Sequence, residues 1–141
     1  MNDPYFDTEF CVDRLYKEYS AHKKLIVALD FDDTIFDFHN KGYQYSQVID
    51  LILECQRDYG FYVVIFTGTP PEKWTNIYNH CEKLGIKTDE INKNAIPLPF
   101  GNGGKIYYNI LLDDRSGLQQ SFEILRKTVD RIKKTKQIAN T

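Results

Sequence analysis

The pentapeptide Asp30-Phe-Asp-Asp-Thr34 closes an apolar run, Lys24-Leu-Ile-Val-Ala-Leu29, and concentrates three carboxylates in four positions. Asp30 and Asp32 are two apart, so in a loop leaving a strand both can face the same side. Carboxylates gathered in that way need a cation, and oxygen-only ligands suit a hard octahedral ion such as Mg2+. Two more apolar runs end in polar groups: residues 61–66 lead into Thr67, and 107–112 into Asp113-Asp114. In parallel α/β sheets ligands bind at the carboxyl ends of the strands, which predicts that Asp30, Thr67 and Asp113 line one crevice.

The elements that must position these groups are written as patterns. A short amphipathic helix is expected over 8–19, where Cys11, Leu15 and Tyr19 recur at spacings of four behind a capping Asp7. The run over 24–30 reads as a central parallel strand covered on both faces. A helix begins near Ser46, with Val48, Ile49, Ile52, Leu53 and Gln56 on one face, and stops at Gly60. After the strand over 61–66, Pro70 and Pro71 suit the first turn of a helix that carries Trp74, Ile77, Tyr78, Cys81 and Leu84 inward. Gly85 is placed to cap it in the left-handed conformation; a short third strand over 86–91 and a Pro/Gly-rich loop over 97–104 follow. A strand over 107–112 and a helix from about Leu118, with Phe122, Leu125, Val129 and Ile132 on one stripe, complete an α/β alternation.

Composition narrows the function classes. A chain of 141 residues holds one compact domain, and 42% apolar with 27% charged residues is a globular balance. A net charge of −2 and a pI near 5.9 lack the one-signed field of a non-specific nucleic-acid binder. No apolar run approaches the roughly 18 to 20 residues that cross a bilayer. The first ten residues carry Asp3, Asp7 and Glu9 and no signal-peptide pattern, so a cytoplasmic protein is expected. Cys11, Cys55 and Cys81 are odd in number and widely spaced, as reduced, buried thiols would be, and His22, His39 and His80 lack metal-ligand spacing.

The segment Leu25-Ile-Val-Ala-Leu-Asp-Phe-Asp-Asp-Thr-Ile35 resembles the first signature of the haloacid dehalogenase superfamily, an apolar strand followed by D-x-D-x-T. That family's remaining signatures follow in order: a Ser/Thr after the second strand at Thr67, a lysine at Lys105 and an acidic pair at Asp113 and Asp114. The likeness spans about residues 25–117. It implies a Rossmann-like three-layer α/β/α sandwich with a mainly parallel central sheet and one domain over 1–141. Residues 1–23 would then be an appended N-terminal helix and 137–141 a frayed tail. Neither 35–59 nor 70–104 is long enough to hold a cap domain, so the site would be open, facing larger substrates or closed by a second copy of the chain in a homo-oligomer.

The resemblance also implies roles: a Mg2+-dependent phosphomonoester hydrolase acting on a small phosphorylated metabolite, a nucleotide or a sugar phosphate. Asp30 would be the nucleophile that forms an aspartyl-phosphate and Asp32 the acid and base. Mg2+ would be held by Asp30, the Asp32 carbonyl and the acid pair, with Asp114 favoured as the direct ligand over Asp113. Thr67 and the Gly68 amide would bind phosphoryl oxygens while Lys105 offsets negative charge. Lys93 competes for the lysine role; Lys105 is preferred for its short path into the last strand.

Plainer readings exist for each part. Strand-end aspartates and Thr67 commonly cap turns and helices. Phe36, Phe38, Tyr43 and Tyr45 are either core or a substrate wall. Arg126, Lys127, Arg131, Lys133, Lys134 and Lys136 give the last helix a basic, ordinarily solvated face, or hold a nucleic-acid end for a phosphatase of that kind. A non-catalytic phospho-acceptor or binding module also uses acids, a Thr and a Lys at strand ends, although in receiver domains the acid pair precedes the acceptor aspartate.

Overall fold

The computed structural model describes residues 3–99 and 103–140; residues 100–102 of the expected loop and Thr141 of the expected tail lie outside it. The chain forms α1 (Thr8–His22), β1 (Ile26–Asp30), α2 (Ser46–Tyr59), β2 (Tyr62–Phe66), α3 (Trp74–Leu84), β3 (Glu90–Ile91), β4 (Ile110–Leu112) and α4 (Leu118–Ala139). It is an α/β fold on an all-parallel four-stranded sheet of order β3-β2-β1-β4. No helix among the described residues is long and apolar enough to cross a membrane.

Strand alternation divides the apolar residues between two faces. Leu25, Val27, Leu29, Val63, Ile65, Ile91 and Leu112 join one continuous core with Leu15, Ile52, Ile77, Leu125 and Val129 from the helices. Ile26, Ala28 and Val64 point the other way and are buried as well. Tyr108, shortly before β4, stands edge-on to Phe66 at the end of β2 at 5.8 Å.

Three helix ends match expectation, whereas α1, expected over 8–19, continues to His22. Asp7 caps α1 by accepting from the Glu9 amide at 2.9 Å. Gly60 (φ 65°) and Gly85 (φ 86°) end α2 and α3 in the left-handed conformation, which glycine adopts without a Cβ clash. Pro71 opens a 3-10 turn, Pro71–Lys73, that leads into α3. Tyr78 departs from expectation: Ile77 and Cys81 are buried, but Tyr78, about 100° further round the helix, is 44% exposed. The cysteines are free and buried. Residues 137–139, expected as frayed, continue α4.

Two strands, β3 and β4, are shorter than the expected 86–91 and 107–112, for one shared reason. The Val63 amide goes to the Asp89 side chain at 2.8 Å and the Ile26 amide to the Asn109 side chain at 2.7 Å. A side-chain oxygen thus stands where a strand would offer a main-chain carbonyl, and the ladders begin only at Glu90 and Ile110. Half of the basic stripe of α4 is spent holding helices together. Arg126 pairs with Glu54 of α2 at 2.8 Å and with Asp130, while Lys127 and Arg131 pair with Glu9 and Asp13 of α1 at 3.0 and 2.7 Å.

Asn109 also donates to Glu18 at 3.0 Å and to the Tyr107 hydroxyl at 3.2 Å. Replacing Asn109 by Ala leaves the Ile26 amide without its acceptor and should cost about 1–3 kcal/mol in urea unfolding. An unchanged midpoint would show that water takes over that bond.

Candidate active site

The register that pairs Leu29 with Leu112 sets Asp30 beside Asp113 at the carboxyl ends of β1 and β4. One step further, Phe31 extends the ladder by donating to the Phe66 carbonyl, and its own carbonyl accepts from Thr34, Ile35 and Phe36. Asp33 completes this turn at φ 59°, a left-handed conformation that Asp tolerates better than most residues. The turn drives Thr34 inward, where it is fully buried.

Thr34 Oγ1 lies 3.2 Å from Asp30 Oδ2 and 3.3 Å from Asp114 Oδ1, and accepts the Asp114 amide at 3.1 Å. A hydroxyl has one proton, so it serves one of the two carboxylates at a time. Asp30, Asp113 and Asp114 each bring a carboxylate oxygen within 4.8 Å of the others. Among the described residues no Lys, Arg or His side chain forms an ion pair, at 4.0 Å or less, with any of the three. Arg115 donates to Asp113 only through its backbone amide, at 2.9 Å.

The electrostatic result is a carboxyl group that resists ionisation. Burial first, then the Asp114 hydrogen bond and the Asp113 charge, push Asp30 up to about 7, against a partial pull downward by Thr34. Asp32 stands outside the three-carboxylate group and is also raised, by burial and then by the charges of Asp33 and Asp114, with His39 opposing. A raised Asp32 is what an acid that protonates a leaving group requires.

The third strand end is organised by a residue whose role the sequence does not announce. Asn92 (φ 54°) accepts the Thr67 amide at 3.0 Å and donates to the Thr67 carbonyl at 2.8 Å, clamping the loop after β2 across 25 residues of chain. Thr67 Oγ1 accepts from the Thr69 amide at 3.1 Å, which leaves its own proton to donate outward. Gly68 is exposed beside it. Lys105 is exposed on the wall of an open cavity of about 1490 Å3, with Asn94, Tyr107, Tyr108 and Asn109, and none of the three clustered acids lines that cavity. Lys93 is exposed on the loop after β3. Asp30, Asp113, Asp114 and Thr34 are therefore brought together, with Asp32 within electrostatic reach; neither lysine forms an ion pair with them. The D-x-D-x-T spacing marks Thr34, but nothing local marks Asn92.

No protein-family model, no curated protein and no solved structure matches the chain.

In metal-free protein the raised Asp30 makes stability depend on pH with a defined sign. Its folded value exceeds the unfolded one of 3.8, so the contribution is fully present below 3.8 and is lost as pH rises through about 7. In chelator at pH 8, Asp30→Asn should therefore melt higher than wild type. After solvent screening the gain is on the order of 1 kcal/mol, or about 3 °C. A lower melting temperature for the variant would show that the Asp30 charge is compensated.

Proposed function

We propose that the chain is a Mg2+-dependent phosphomonoester hydrolase of the haloacid dehalogenase type, working through an aspartyl-phosphate on Asp30. The observation that carries this reading is the convergence of Asp30, Asp113 and Asp114 at adjacent parallel strand ends, with no ion-pair partner for them among the described residues. The donor set fits the ion: every available ligand atom is oxygen and three of the groups are carboxylates. Asp30 and Asp114, with the Asp32 carbonyl, would hold it, and Asp113 would brace the loop. Bound there, Mg2+ supplies charge that offsets the carboxylates and the substrate phosphate.

In this reading an Asp30 oxygen attacks phosphorus as the bond from phosphorus to the ester oxygen breaks, and Asp32 delivers its proton to the leaving oxygen. Water then attacks phosphorus, Asp32 takes the water's proton, and the bond from phosphorus to Asp30 breaks to release inorganic phosphate. The Thr67 hydroxyl and the Gly68 amide donate to the phosphoryl oxygens. Lys105 offsets charge if the loop that carries it approaches the crevice when substrate binds. The same reading takes the fold as a three-layer, capless domain in the cytoplasm, with a phosphorylated small molecule as substrate and a second copy of the chain as a means of closing the open site. The pairing of Arg126, Lys127 and Arg131 with acids of neighbouring helices speaks against α4 as a nucleic-acid surface.

The position of Lys105 on a separate cavity wall favours one second reading, a phosphate- or metal-binding module without turnover. Phosphate release from a panel of phosphomonoesters separates the two. Hydrolysis that needs Mg2+ and disappears in Asp30→Asn is expected, whereas no release from any ester sinks the hydrolase. Lys105→Met should lower turnover at least 100-fold, the scale of losing one group that stabilises the transition-state charge. Full activity in that variant, with loss in Lys93→Met, would move the role to Lys93.

A further inference from the structure

The loop between β1 and α2 is built around a carboxylate that the proposed chemistry does not use. Asp33 holds His39 Nδ1 at 2.7 Å through one oxygen and accepts the Tyr45 hydroxyl at 3.3 Å through the other. Each partner carries an outer ring: Phe38 stands edge-on to His39 at 5.1 Å, and Tyr43 edge-on to Tyr45 at 6.3 Å. Those outer rings are 59% and 65% exposed. Asp37 fixes the loop between them by accepting the Lys41 and Gly42 amides at 3.0 and 2.7 Å.

This construction costs free energy. Tyr45 sits at φ 55°, a conformation in which a bulky side chain is strained, and strain of that kind collects where a site is assembled. Two large rings held in solvent by polar clamps are preorganised contact surface rather than misplaced core. The loop also borders the acidic cluster. Asp33 follows Asp32 directly, the His39 charge reaches Asp32, and the Asp114 charge reaches Tyr45.

We propose that Phe38 and Tyr43, positioned by Asp33 through His39 and Tyr45, form the base-stacking subsite for a nucleoside monophosphate whose phosphate lies at Asp30. The inference rests on the phosphatase reading and names its substrate class. Aromatic rings select planar π systems, and stacking on such rings is worth about tenfold in affinity or more per base. A sugar phosphate without a base leaves both rings in water.

The test compares kcat/KM for adenosine 5′-monophosphate with that for ribose 5-phosphate, which carries a C1 hydroxyl in place of the base. Wild type should prefer the nucleotide at least about tenfold, and the ratio should fall toward one in the Phe38→Ala/Tyr43→Ala double variant. Asp33→Ala should lower the same ratio, chiefly through the KM for the nucleotide, although it removes no ring; an equal loss on both substrates would show a merely structural role. Equal turnover of the two esters by wild type, a ratio untouched by the double variant, or faster turnover of a 5′-phosphorylated oligonucleotide would overturn the proposal. If neither ester is hydrolysed, the phosphatase reading fails separately, and calorimetry with Mg2+ and adenosine 5′-monophosphate decides the subsite. Nucleotide binding that the double variant loses and ribose 5-phosphate cannot match supports it; no binding overturns it.

Discussion

Asp30, Asp113 and Asp114 crowd around a single buried hydroxyl, and that crowding is the constraint to which the surrounding structure answers. Thr34 offers one proton to two carboxylates and accepts the Asp114 amide on its oxygen. With no lysine or arginine among the described residues in ion-pair contact, mutual repulsion is relieved by holding a proton or by a cation from outside. A fold that served stability alone would put one fewer acid there. The parallel register makes the arrangement unavoidable, because Leu29 and Leu112 pair and the next residue of each strand is an aspartate.

The rest of the molecule keeps that cluster rigid. Buried side chains on both faces fix β1 between β2 and β4, so the strand end cannot withdraw as its charges repel. The turn over 31–36 ties itself to the Phe31 carbonyl and seats Thr34 in the core. His80 supports that turn from α3, with Nε2 at 3.1 Å from the Ile35 carbonyl and its ring edge-on to both Phe31 and Phe36. The long salt-bridged α4 locks α1 and α2 into the same body. The site is therefore a local electrostatic conflict mounted on a frame with little freedom to relax it.

The central features were readable because they follow from uninterrupted patterns. Asp30 and the acid pair each end an apolar run, and a buried parallel strand brings whatever follows it to the same edge. Gly60 and Gly85 stop their helices because only glycine takes the left-handed step without strain. The features that escaped are those made by single polar side chains acting over long separations. Asp89 and Asn109 each satisfy a strand amide far away in sequence, Asn92 the Thr67 backbone just past β2, and nothing in their neighbours signals it. For the same reason β3 and β4 begin only at Glu90 and Ile110, later than the expected 86 and 107. The lysine role is not fixed by motif order, since the described residues between Asn92 and Asn109 form no regular element to aim Lys105.

Mg2+ calorimetry at pH 7.5 on wild type and on Asp114→Asn tests most directly whether this carboxylate cluster exists to hold a cation. One site per chain, with saturable heat in wild type and affinity reduced about tenfold or more in the variant, is expected. Wild type that takes up no Mg2+, or a variant that binds as tightly as wild type, would contradict it.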